Sequence, residues 1–326
     1  MTSIATFAST PAAGITAASI DPTHIAASER FPGGALRQVV LACAVPLATP
    51  LGALVPQYRD DPQRKRLTRS LTFYESGALR SIVLEDVTWI PTGVGTVPAE
   101  LITFYESGAL KRVLPSYGSL SGFWTEKNEY DFVAAAPYAL PFGVFTLKAI
   151  NIAFYEGGAF KSITLWPFER LEVPTSLGLL PIRVGFSCYE NGAVASLEPL
   201  WPLEVATPVG TVVAFDPEAM GMDGESNSLG FWPSGAVRTV LTVASAVTVR
   251  RRGDGAVVAV FEPQPTLSHY HDKLTLEPLR IRFEEGFVRF GAREDSEEDP
   301  VFSAGSYSFE AVPFANEGFA LGCLGC

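Results

Sequence analysis

One phrase recurs along this 326-residue chain, and wherever it stands it dictates a β-hairpin. It reads FYESGALRSIVL at 73–84, FYESGALKRVL at 104–114 and FYEGGAFKSITL at 154–165. Looser copies are RFPGGALRQVVL at 30–41, CYENGAVASL at 188–197 and FWPSGAVRTVL at 231–241, and RFEEGFV at 282–288 is a degenerate seventh. Aromatic and β-branched residues lead in, a short polar pair follows, then glycine, then a second β-rich run. A type I turn followed by a residue at positive φ closes such a hairpin as a G1 bulge, and only glycine takes that position without steric cost. The expected turn glycines are Gly34, Gly77, Gly108, Gly158, Gly192, Gly235 and Gly286, spaced by 43, 31, 50, 34, 43 and 51 residues. A fixed phrase at irregular spacing means a hairpin array carrying insertions.

A second phrase alternates with the first: TPLG at 49–52, TGVG at 92–95, LPFG at 140–143, TSLG at 175–178 and TPVG at 207–210. The distance from the first-phrase glycine to the second is 18, 18, 35, 20 and 18 residues, and Gly253 lies 18 after Gly235. This constancy defines one structural unit of about three strands. One strand enters the first turn, one leaves it, and one enters the second. The gap of 35 holds an insertion at 115–132, and further insertions occupy 59–66 and 216–228. Insertions in repeat folds map to loops, often on a binding face. The expected organisation is a lead-in at 1–28, a β-array at 29–291 and an acidic segment with a cap at 292–326.

Composition agrees with an all-β chain. With 29 glycines and 25 prolines a helical bundle is disfavoured, and 47% apolar against 18% charged residues excludes disorder. A net charge of −11 argues against nucleic acid as the partner. No run approaches eighteen apolar residues, so no transmembrane helix is expected. No basic residue precedes Asp21, so a secretory signal is not expected and the chain reads as cytoplasmic. Cys43 and Cys188 stand in apolar strand-like context and read as buried thiols. Cys323 and Cys326 form a lone CxxC, a weak motif for metal or redox chemistry.

The FYESGAL phrase resembles the MORN-variant repeats of bacterial proteins, antitoxin-like proteins among them. The whole chain resembles an uncharacterised bacterial family that combines FYESGALKS and TPxG phrases. The resemblance covers the first phrase, about a third of the chain. The longer spacing and the TPxG phrase depart from the MORN pattern. The resemblance implies an elongated, curved antiparallel sheet; the repeat units themselves leave an incomplete β-solenoid open as well, with a β-propeller-like ring as the alternative. The resemblance also implies an interaction or assembly role, sometimes at membrane lipids.

Candidate chemistry is sparse. The turn acids Glu75, Glu106, Glu156 and Glu190, and the basic residues Arg37, Arg80, Lys111, Lys161 and Arg238, form two ladders that read as solvated charge on the hairpins. Arg64–Arg66 and Arg250–Arg252 read as solvated basic loops. The insertion at 115–132 carries Tyr117, Phe123, Trp124, Glu126 and Tyr130, a composition suited to a partner-binding hot spot or to a cap on the sheet. His269 and His271 share one face of an extended segment, and with Asp216 and Asp223 they are the candidate metal ligands. No cofactor is otherwise expected; a divalent cation is the one candidate. GxSxG, GxGxxG and GxxxxGK[ST] are absent, so no residue set argues for catalysis. The expected function is a non-enzymatic repeat scaffold that binds another protein, its oligomeric state open. The alternative is a metal-dependent enzyme or small-ligand binder at His269, His271 and 216–228.

Overall fold

A computed structural model describes residues 15–220, 227–268, 273–294 and 296–314. His269, His271, Asp223, Cys323 and Cys326 lie outside the described residues. The fold is all-β and antiparallel, and the chain divides into two compact units: Met1–Glu169 with Glu190–Gly192, and Arg170–Tyr189 with Ala193–Cys326.

In the first unit the strands Ile25–Arg30, Leu36–Leu41, Leu71–Phe73, Leu79–Thr92, Gly95–Phe104, Leu110–Leu114, Ala149–Phe154 and Phe160–Leu165 lie side by side in chain order. In the second the order is Gly178–Cys188, Val194–Pro199, Leu229–Phe231, Val237–Thr242, Leu279–Glu284, Phe287–Gly291 and Val301–Ser303. Each FYESG phrase is a hairpin with the expected turn. At Gly77 the amide bonds back to the Tyr74 carbonyl, φ is 87°, and the register slips by one between Thr72 and Phe73. The six full phrases all place glycine at φ between 84° and 87°. The degenerate seventh differs: Glu284 pairs directly with Phe287 around a two-residue loop and no register slip occurs, which is why its wording departs from the rest.

These turns set the core. Leu71, Ile102, Ile152, Phe186 and Leu229 stand six residues before a turn glycine, and Val39, Ile82, Val113, Ile163, Leu197 and Val240 five after. Cross-strand pairing joins them into two ladders. One runs Val39, Leu71, Ile82, Ile102, Val113, Ile152, Ile163 in the first unit. The other runs Phe186, Leu197, Leu229, Val240, Ile281, Phe290 in the second. Every member is fully buried. Each such side chain contributes about 1.5–3 kcal/mol by burial.

The turn aromatics tie successive hairpins together. The Tyr74 hydroxyl donates to the Phe104 carbonyl (2.8 Å), Tyr105 to Phe154 (3.0 Å), Tyr189 to Phe231 (2.7 Å), and the Trp232 indole to Phe283 (3.2 Å). Three residues before the turn glycine the first and seventh phrases have Phe31 and Phe283, and a phenylalanine side chain has no donor for this link.

The second phrase makes a second kind of hairpin. At 49–52, 92–95, 175–178 and 207–210 the threonine Oγ1 donates to the glycine carbonyl and accepts from the amide just before that glycine. This closes the turn locally. The chain then returns as a strand, in Gly52–Leu54, Gly143–Leu147 and Gly210–Ala214 among others, so a unit holds four strands rather than the three expected. In the sixth unit positive φ falls on Gly255 (69°) and not on Gly253.

Several other expectations shift. The array opens at Ile25 rather than 29, and the lead-in binds the Gly77 turn, where the Ala17 amide donates to the Gly77 carbonyl. The C-terminal segment does return to strand, as Val301–Ser303 and Tyr307–Pro313. Cys43 is exposed, not buried, because it stands past the end of the Leu36–Leu41 strand; Cys188 is buried, and burial pushes its thiol up to about 12. Replacing Tyr105 by Phe leaves the Phe154 carbonyl without this donor, and a urea titration is expected to show a loss of about 1 kcal/mol.

Candidate functional site

The insertions expected as loops are anchored on buried charge. In the first unit, Arg64 lies between two glutamates: Nη1 and Nη2 reach both oxygens of Glu100 at 2.9 and 2.5 Å, and Nε and Nη2 reach Glu129 at 3.0 and 2.8 Å. Lys65 donates to the Leu84 and Glu85 carbonyls and to Glu100 (3.2 Å). The 115–132 segment supplies the remaining donors. Tyr117 N–H donates to Glu100, and Gly118 N–H and the Trp124 indole donate to Glu129. Gly118 is required there, since a Cβ would collide with the Glu129 carboxylate. The Arg64 guanidinium also lies 3.7 Å over the Phe132 ring. All four charged residues are buried. Burial alone would raise the Glu100 pKa, but Arg64, Lys65 and the Tyr117 amide outweigh it and hold the carboxyl below its ordinary value. Arg64 and Lys65 are therefore not the solvated residues expected from their sequence.

Glu129 belongs to a helix, Glu126–Phe132, that the sequence reading does not anticipate. Its signal is Thr125, whose side chain caps the Asn128 amide while Asn128 reaches back to the Thr125 N–H. Seven residues are too few to show a helical period.

Most aromatic candidates of this insertion turn inward. Trp124 bonds Glu129, and the Tyr117 hydroxyl accepts from Arg69. Tyr130 packs edge-on to Trp166 and Phe168, donates its hydroxyl to Glu169 and receives Lys148 over its ring. Glu126 is exposed in the first helical turn, and Phe123 is 91% exposed at the tip. A cavity of about 430 Å³ opens beside the cluster, lined by Gln57, Arg59, Asp61, Lys65, Glu85 and Phe132. Its cationic heads are already engaged, Arg59 with Glu85 and Lys65 as above.

The second unit repeats the device with a different charge balance. Glu198 is fully buried and accepts from the amides of Ser228 (2.8 Å) and Asp216 (3.3 Å), the two ends of the 216–228 insertion. Its cationic partner, Arg183, stands 3.4 Å away and also donates to the Asp216 carbonyl. Asp216 is itself fully buried and paired with Arg293, so this metal candidate is held by an arginine. Burial pushes the Glu198 carboxyl up to about 7; Arg183 and Ser228 pull it down, and Asp216 adds to the rise. Among the described residues no group of three or more His, Cys, Asp or Glu is arranged to hold a metal ion.

Arg80, Lys111, Lys161 and Arg238 lie over the rings of Tyr74, Tyr105, Tyr155 and Trp232 at 5.3–5.8 Å, while Glu75, Glu106, Glu156 and Glu190 are exposed at the tips. Exposed apolar side chains gather elsewhere. In the first unit they include Trp89, Leu120, Phe123, Phe132, Val144 and Phe168; in the second they include Leu179, Trp201, Val260 and the directly opposed pair Leu267 and Leu274. Trp89, Val144, Leu179 and Val260 stand on strands of the second kind of hairpin, which the sequence marks only as a turn, whereas Leu267 and Leu274 belong to a further hairpin, Gln264–Leu267 with Leu274–Glu277. No helix among the described residues is long and apolar enough to cross a membrane. Comparison with protein-family models, with curated proteins and with solved structures finds no match.

Two measurements check these clusters. Arg64→Met leaves Glu100 and Glu129 buried without their guanidinium, and the expected loss of unfolding free energy is about 3–5 kcal/mol. For Glu198, the unfolded chain releases the proton near 4.5 while the folded chain keeps it to about 7. Stability is therefore present in full below the unfolded value and falls as pH rises from 4.5 to 7. Urea midpoints of the native chain and Glu198→Gln, compared across that window, are expected to diverge, with the variant lacking the decline.

Proposed function

We propose that the chain is a non-enzymatic cytoplasmic scaffold that binds another protein through its second kind of hairpin and the tip of the 115–132 insertion. The observation that carries this reading is the division of labour among side chains. The ionisable groups that would be candidates for chemistry, Arg64, Lys65, Glu100, Glu129, Glu198 and Asp216, are buried and spent on anchoring insertions. Large apolar side chains such as Phe123, Val144, Trp201 and Leu267 face solvent instead. Exposed apolar surface on an otherwise well-packed frame marks an interaction site. The resemblance of the FYESGAL phrase to MORN-variant arrays supports the same role. Of the insertion residues, Phe123 keeps the hot-spot role; Tyr117, Trp124 and Tyr130 serve the frame.

Native mass spectrometry of the protein, recovered gently from its own host, tests the reading. The expected result is an added protein subunit that is lost from a Phe123→Ser, Trp201→Ser variant of unchanged thermal midpoint. A stoichiometric metal or small molecule in place of a subunit would overturn it in favour of a ligand-binding role.

A further inference from the structure

The Val257–Phe261 strand forms one end of a three-stranded antiparallel sheet, followed by Ser245–Arg251 and Tyr307–Pro313. Its inner side pairs with Ser245–Arg251, and among the described residues no strand lies on its outer side. Such an edge offers a row of N–H and C=O groups to any incoming strand unless charge, proline or shortness blocks it. Other edges carry those blocks. Ile25–Arg30 ends in Glu29 and Arg30 with most of its residues exposed, and Val301–Ser303 is three residues long and follows Pro300. The run at 256–261, Ala-Val-Val-Ala-Val-Phe, has no charge, glycine or proline. Phe261 turns inward and stacks on Phe290 at 4.3 Å, whereas Val257 and Val260 are 50% and 55% exposed. A bulge places Val258 as the extra residue between Val257 and Ala259 and leaves 259–261 in regular register.

We propose that a second copy of this chain pairs with this edge, antiparallel about a two-fold axis, joining two three-stranded sheets into one of six strands. The proposal rests on reading exposed apolar strands as contact surfaces and names the partner for one of them. The case for a second copy is self-complementarity. Arg251, at the turn end of the strand behind this edge, pairs with Asp254, and exposed Glu262 stands at the other end. A two-fold antiparallel arrangement sets the arginine end of each copy against the glutamate end of the other, twice over, and lays Val260 against the valines of the opposite strand. A parallel alignment would set arginine against arginine. With a net charge of −11, two copies repel one another over most of their surface, so a contact between them needs a locally uncharged strand with matched ends.

The test is sedimentation velocity on the full chain from about 1 μM to about 200 μM, a range that brackets micromolar self-association. The mass of the native protein is expected to rise from one chain toward two. Val260→Lys, at an exposed position and with an unchanged thermal midpoint, is expected to remain a single chain throughout, while Val260→Thr keeps pairing. Arg251→Glu and Glu262→Arg are each expected to weaken pairing about threefold, as exposed ion pairs do, and the double variant to restore it. A native chain that stays monomeric over the whole range, or a dimer indifferent to Val260→Lys, overturns the proposal. If such a monomer still carries a different subunit in native mass spectrometry, this inference fails and the scaffold reading stands.

Discussion

The turn glycine governs the rest of the structure. A residue at φ near 86° after a type I turn forces one extra residue (Arg80, Lys111 or Lys161) into the strand that leaves the turn, and that slip fixes which side chains meet across the hairpin. Because side chains alternate across a strand, a different slip would carry Ile82 or Ile152 from the core to the opposite face. The phase is the same in every full phrase, so the positions five after each turn glycine, and six before each from Gly77 to Gly235 (Leu71, Ile102, Ile152, Phe186 and Leu229), fall on a buried line within each unit. The aromatic link from Tyr74, Tyr105, Tyr189 and Trp232 to the next hairpin then holds neighbouring hairpins at matching height. Local turn chemistry thereby becomes long-range packing.

Onto this frame the chain fastens its insertions by burying carboxylates, and the two cases show how partner geometry sets the cost. Glu100 receives a two-pronged guanidinium, a lysine and a backbone amide, and stays charged despite its burial. Glu198 has backbone amides and one long arginine contact with Asp216 beside it, and burial prevails. Desolvation costs several kcal/mol per ion and is offset only by close, multiple donors. The same chemistry explains why these charges serve anchoring: their lone pairs and donors are directed at the protein itself.

Much of the frame was legible in the sequence because its signals are local. Gly34 through Gly235 name their own conformation, and the β-rich runs beside them name the strands. The returning strands of the second hairpins were not legible, since Gly143–Leu147 and Gly52–Leu54 are short and mostly exposed, so no alternation marks them. Arg64 and Lys65 read as solvated loop charge because their partners, Glu100 and Glu129, lie 36 and 65 residues from Arg64 along the chain. Trp124 and Tyr130 could be assigned either to a partner or to a cap from composition, and only contacts with Glu129, Trp166 and Phe168 decide for the cap.

The 115–132 insertion is a built part of the frame, with Phe123 as its outward tip. Amide hydrogen exchange tests that most directly. Tyr117 and Gly118 donate to buried carboxylates, so their amides are expected to exchange on the slow timescale of the Ile102 and Val113 ladder strands, and Phe123 much faster. Fast exchange across the whole of 115–132, with the ladder strands still protected, would contradict this anchoring.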